Sequence, residues 1–102
     1  MSDNEASITE EIIVRKLKSH HPQPVSGDIL KLTAEVNDRQ VRAAISTLRR
    51  QGQLIVGNWS GYHFARNVQD VYACISELRR QAQAVNAIAD AMAQSAAIIF
   101  EG

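Results

Sequence analysis

The sequence predicts a mainly α fold with a minor β component: three short helices, one β-hairpin and a long last helix. Three observations predict it. Apolar residues recur at helical spacing in four separate stretches. Between the third and fourth stretch the period changes from about 3.6 to 2, around the turn sequence GNWSG. From Asn67 to about Ser95 the chain holds no Gly or Pro, so nothing breaks a helix there.

Taken in order, residues 1–7 (MSDNEAS) read as a disordered tail. TEEIIVRKLKSH then places Ile12, Ile13 and Leu17 on one face. Glu10 and Glu11 stand near its start, Lys16 and Lys18 near its end, and Ser7 or Thr9 serves as cap. HHPQP carries two prolines and must be a loop. In VSGDILKLTAEV, Ser26 is the expected N-cap, Asp28 supports the first turn, and Ile29, Leu30 and Leu32 form the apolar face of a short helix ending near Thr33. NDRQVRAAISTLRRQG opens with Asn37 and has Gln40 three residues later, the spacing of a capping box. Val41, Ala44, Ile45 and Leu48 make its buried face, and Gly52 its stop. QLIVG and YHFA are the hairpin strands, with Tyr62 and Phe64 turned inward. The order helix, helix, helix, hairpin is that of a helix-turn-helix followed by a β-wing. The expected divisions are a tail over 1–7, a domain over 8–66 and a C-terminal helix with its tail over 67–102.

Residues 24–65, PVSGDILKLTAEVNDRQVRAAISTLRRQGQLIVGNWSGYHFA, resemble the winged helix-turn-helix at the N-terminus of the biotin operon repressor and its relatives. The matches are Val25, Ser26, Gly27 and Leu30 in the second helix, then Arg39, Val41, Ile45, Leu48 and Arg49 in the third. Gly52, Ile55, Gly61, Tyr62, Phe64 and Ala65 match in the hairpin. They span about two-fifths of the chain. A long helix directly after the wing is also similar to small phage- and prophage-encoded winged-helix proteins. The resemblance implies a DNA-binding fold; the chain departs from the family in having no room for a catalytic domain and no ligand-sensing domain, so no small-molecule response is expected.

Charge fits local anion binding. Lys+Arg and Asp+Glu are 11 each, so the net charge is zero, which argues against a globally basic coat protein. Residues 12–66 nevertheless hold nine bases against three acids, a net of +6, whereas residues 1–11 hold four acids and no base. In a helix-turn-helix the second of the paired helices enters the major groove with its N-terminal residues near base edges. Arg39, Gln40 and Arg42 sit early on the solvent face of that helix; Arg pairs bidentately with guanine and Gln with adenine. Ala43 permits close approach, and Ser46 shares the face. Arg49, Arg50, Lys31, Ser26 and Thr33 are expected at phosphates. Asn58, Trp59 and Ser60 are expected at a minor groove or backbone, with Arg66 behind them. Trp59 alternatively folds onto its own hairpin or the last helix.

In that last helix, Val71, Ile75, Leu78, Ala82, Val85, Ala89, Met92, Ala96 and Ile99 follow one another at alternating steps of four and three. This is a heptad seam. Val71 to Ser95 would extend roughly 37 Å at 1.5 Å per residue, more than a small three-helix core covers. A homodimer through this helix is expected, Ile98, Ile99 and Phe100 joining the interface, with two wings engaging two half-sites of a palindrome.

Other chemistry is thin. Cys74, the lone cysteine, reads as a small buried hydrophobe. His20, His21 and His63 lack metal-ligand spacing. No nucleophile–base pair, phosphate loop or paired-carboxylate motif is present, so no enzyme activity, cofactor, metal or small-molecule ligand is expected. No apolar run reaches the roughly 20 residues of a membrane span, and the acidic N-terminus lacks a leader pattern. A cytoplasmic location in a bacterial or phage-infected cell is expected. The function expected is sequence-specific DNA binding by a prophage-type transcriptional regulator. The alternatives are a winged-helix protein-interaction module in a phage replication or assembly complex, using Trp59 and the last helix, and a non-specific architectural DNA binder.

Overall fold

The computed structural model describes the backbone of residues 2–101 and the side chains of residues 5–100. The chain divides into two compact units, Met1–Val71 and Tyr72–Gly102. The first contains α1 (Ser2–His20), α2 (Gly27–Ala34), α3 (Asp38–Arg50), β1 (Ile55–Asn58), β2 (Gly61–Phe64) and the first turn of α4 (Val68–Ala96). The rest of α4 and a π-helical turn, Ala97–Glu101, make up the second. The first turn of α4 stays with the first unit because its start is capped there: Asn67 Oδ1 accepts the Asp70 N–H at 2.9 Å, and Asp70 Oδ2 accepts the Arg66 N–H at 2.9 Å.

Each helix of the first unit contributes to one core. Ile13 and Leu17 of α1, Leu30 of α2, and Val41, Ala44, Ile45 and Leu48 of α3 are buried together with Val25 and Ile55. The helix starts follow the expected chemistry. Ser26 Oγ accepts the Ile29 N–H at 3.2 Å. At α3 the capping box is complete, with Asn37 Oδ1 accepting the Gln40 N–H and Gln40 Oε1 accepting the Asn37 N–H, each at 2.9 Å. Between them Glu35 turns the chain in the left-handed region at φ 56°, and the Val36 N–H returns to the Lys31 carbonyl at 3.0 Å. Asn37→Ala should lower stability by about 1 kcal/mol and the melting midpoint by roughly 4–8 °C. Thermal melts followed by circular dichroism check this.

β1 and β2 pair antiparallel in the register Ile55↔Phe64 to Asn58↔Gly61, leaving Trp59 and Ser60 as a two-residue tip. Asn58 Oδ1 braces the tip by accepting from the Ser60 N–H and hydroxyl at 2.8 and 2.7 Å. The hairpin is joined to the helices by a one-residue bridge: the Val25 N–H donates to the Tyr62 carbonyl at 2.8 Å and the Tyr62 N–H to the Val25 carbonyl at 2.9 Å.

Three expectations change. The segment expected as a tail is helical from Ser2: no Gly or Pro interrupts residues 2–20, and acidic residues suit a helix start. Met1 lies outside the described residues. Thr9 is inside this helix and caps nothing; its hydroxyl donates to the Glu5 carbonyl at 3.0 Å. In α2 only Leu30 is buried, and Ile29 and Leu32 are exposed, because two helical turns present just one position to the core. In β2, Tyr62 and Phe64 turn toward the core as expected and pack against it while partly buried, and His63, on the alternate face, is buried as well. Its Nδ1 lies 2.9 Å from the Phe64 carbonyl and its Nε2 3.4 Å from Arg66 Nη2. A carbonyl only accepts and a guanidinium only donates, which assigns the ring proton to Nδ1.

The long helix conforms to expectation in length and lack of cover. No residue of α4 is buried, and every side chain from Ser76 to Phe100 is exposed. Cys74, expected buried, is half-buried, as are Val71 and Ile75. No helix among the described residues is long and apolar enough to cross a membrane.

Candidate nucleic-acid interface

The geometry of α3 decides which side chains can meet a large anionic partner. Burial of Val41, Ala44, Ile45 and Leu48 turns the opposite face outward, and Arg39, Arg42, Ser46 and Arg50 lie along it, all exposed. Arg39 and Arg42 make no hydrogen bond or ion pair among the described residues. Their guanidinium groups stand on the first turn and a half of a capped helix, and each presents a planar fork of N–H donors. Arg50 is steadied by its own helix: Nη1 donates to Ser46 Oγ and Nη2 to Thr47 Oγ1, both at 3.2 Å.

The remaining expected contacts divide by what the fold already does with them. Gln40 is exposed, but its amide oxygen holds the Asn37 cap. Bidentate pairing with adenine requires that oxygen as an acceptor, so the amide N–H groups are what Gln40 offers. Arg49, expected at phosphate, is half-buried, and its Nε donates to the Ile55 carbonyl at 2.8 Å. It ties α3 to β1. Lys31 reaches Asp28 at 3.3 Å and Asp38 at 3.2 Å. Hydrogen bonding to Asp38, then to Asp28, holds its ammonium above the usual lysine range. Its charge is spent joining α2 to α3. Ser26 is occupied as the α2 cap, and Thr33 donates to the Ile29 carbonyl at 2.7 Å. Arg66 donates through its backbone N–H and its Nε to Asp70 Oδ2. The backbone hydrogen bond, then the side-chain one, keeps the Asp70 carboxyl below its usual range. Arg66 therefore serves chiefly to start α4.

Ala43 lies at the edge of the outward face. It lines a groove with Glu5, Ile8, Glu10, Val36 and Thr47, where the acidic end of α1 runs beside α3. Glu5 falls in the stretch expected as a disordered tail, so its place beside α3 is not readable from the sequence, whereas Glu10 is expected at the start of the first helix. The pairing of Lys31 with Asp38 was equally hidden, although the Asp28 to Lys31 spacing is readable as an i,i+3 pair.

At the hairpin tip, Trp59 is 98 % exposed, which excludes its folding back onto the hairpin. Asn58 and Ser60 hold each other and set the tip. Trp59→Ala should leave stability within about 0.5 kcal/mol of the native chain while weakening whatever the wing touches; melts beside binding titrations separate the two effects. Among the described residues no three His, Cys, Asp or Glu side chains are grouped to hold a metal ion.

No protein-family model matches the chain, and no curated protein matches it. The chemistry of the outward face of α3 and of the wing tip carries the functional reading.

Proposed function

We propose that the chain is a sequence-specific DNA-binding protein, a prophage-type transcriptional regulator that acts as a dimer by occupying an operator. It is a binder and not an enzyme. The observation that carries this reading is the pair of exposed guanidinium groups, Arg39 and Arg42, on the first turns of α3, neither of them engaged by another described residue. An α-helix fits the major groove, and Arg reads guanine there through two hydrogen bonds. Arg50 and Ser46 continue the same face, where they meet phosphate or a further base edge. The wing tip, with Trp59 in water, reaches the flanking backbone or minor groove.

Part of the expected footprint is withdrawn. Lys31, Arg49 and Arg66 have structural work, so affinity rests on few charges per protomer. That favours two protomers on two half-sites, since linking two weak sites raises affinity without new contacts. Glu5 and Glu10 beside Ala43 repel phosphate on one flank of α3, which biases docking toward the Arg42 flank.

Selection of binding sites from a random duplex pool tests the reading. Enrichment of a two-fold symmetric sequence with guanines in each half-site supports it. Retention of DNA without enrichment identifies an architectural binder. A second reading has its own observation: the fully exposed Trp59 suits a protein partner in a replication or assembly complex, since Trp is enriched at such interfaces. In that case the pool yields nothing.

A further inference from the structure

We infer that α4 pairs with the same helix of a second copy in antiparallel sense, in a register centred on Ala87. This deepens the dimer named above and rests on that reading for its purpose, though not for its test.

The exposed apolar face of α4 is continuous. Leu78, Val85, Ile88 and Met92 are 42, 64, 61 and 68 % exposed, and Ile99 is 71 % exposed. The closing π-helical turn keeps Ile99 on this face, for Ile99 and Phe100 line a shallow groove with Met92, Ser95 and Ala96. A large aliphatic side chain covers roughly 60–120 Å² when buried. Eight such positions, counting Ile75, Ile98 and Phe100, come to roughly 500–1,000 Å² per protomer, the scale of a stable interface. A second copy supplies the same face and no charged residue on the seam.

The sense follows from residue size. Along the seam, small and large side chains alternate: Leu78, Ala82, Val85, Ala89, Met92, Ala96. A parallel pair stacks each residue on its own copy. Ala82, Ala89 and Ala96 layers would then alternate with Leu78, Val85 and Met92 layers, and helices held apart by the large layers would leave voids at the small ones. An antiparallel pair sets Leu78 against Ala96, Ala82 against Met92, and Val85 against Ala89. Each of these three layers then holds one small and one larger side chain, and the helices approach evenly across them. The same register brings Ile75 opposite Ile99 and places Ile88, one residue past the centre, beside its own copy near the two-fold axis. All of these pairings come from one shift.

The native Cys74 makes the test direct, because it is the chain's only cysteine. A nitroxide on Cys74 of the full chain, without DNA, is read by pulsed electron–electron dipolar spectroscopy. The antiparallel register separates the two labels by 26 residues of helix, or roughly 39 Å. A parallel pair places them about 10 Å apart across the helices. A separation near 40 Å supports the inference; a short separation, or a monomer without intermolecular coupling, overturns it. As a second check independent of labelling at Cys74, Gln81→Cys and Ser95→Cys are made separately in Cys74→Ser chains, then mixed and oxidised. Antiparallel pairing cross-links the mixture, and neither variant cross-links alone; cross-linking within a single variant, or none in the mixture, overturns the register. Neither readout uses DNA, so a failure here is distinct from a failure of the DNA-binding reading.

Discussion

Replacing Gly61 by alanine is expected to destabilise the first unit by at least about 2 kcal/mol, with the strain of an unfavourable backbone region alone costing on the order of 1–3 kcal/mol. Gly61 has φ +134°, and a Cβ built there would stand 2.3 Å from the Val25 carbonyl oxygen, 2.6 Å from its carbon and 2.8 Å from the Ser26 nitrogen. All three are backbone atoms, so no side chain can swing aside. Relief requires moving residues 25 and 26, which breaks the two hydrogen bonds between Val25 and Tyr62 and disturbs the Ser26 cap. Each hydrogen bond contributes about 0.5–1.5 kcal/mol. A loss of 2 kcal/mol lowers the melting midpoint of a domain this size by roughly 8–16 °C. Gly27→Ala is the control, since nothing lies within 4 Å of its Cβ position. Equal midpoints for the two variants would show that the hairpin is not clamped to the start of α2.

The second large effect concerns binding. The double variant Arg39→Ala/Arg42→Ala should bind its selected duplex at least about 100-fold more weakly, because each guanine pair contributes about 1–3 kcal/mol of discrimination. Both residues are exposed, and neither makes an ion pair among the described residues, so the melting midpoint should hardly move. Affinity for random duplex should fall much less, and the ratio of specific to random binding should collapse. Arg49→Ala should behave oppositely. Removing its bond to the Ile55 carbonyl costs stability first. Titrations by fluorescence anisotropy with parallel melts distinguish the two patterns.

The contrast between Arg39 and Arg49 marks where the sequence is legible. Local chemistry reads well: the Asn37–Gln40 box, the Ser26 cap and the four buried residues of α3 depend on neighbours three or four positions apart, and the structure has all of them. The hairpin follows from the change of period at Gln53. What depends on packing between elements is not visible along the chain. Ile29 and Leu32 look like core residues, yet α2 is two turns long and buries Leu30 alone. The N-terminal segment has the composition of a tail but no breaker, and it extends α1 beside α3. Among the basic residues, Lys31, Arg49 and Arg66 are indistinguishable by type from Arg39 and Arg42. Only the positions of Asp38, the Ile55 carbonyl and Asp70 separate the structural charges from the available ones.

Salt dependence of DNA affinity tests the central claim most directly. The full native chain is titrated by fluorescence anisotropy onto its selected duplex and onto random duplex at increasing salt. A dimer that neutralises about six phosphates should lose roughly 1,000-fold in affinity between about 50 and 200 mM salt, and the selected duplex should stay the tighter ligand throughout. Absence of binding to either duplex at the lowest salt, where non-specific attraction is strongest, would contradict the account. The outward arginines of α3 would then be solvated surface, and Trp59 with the last helix would mark the site of a protein partner.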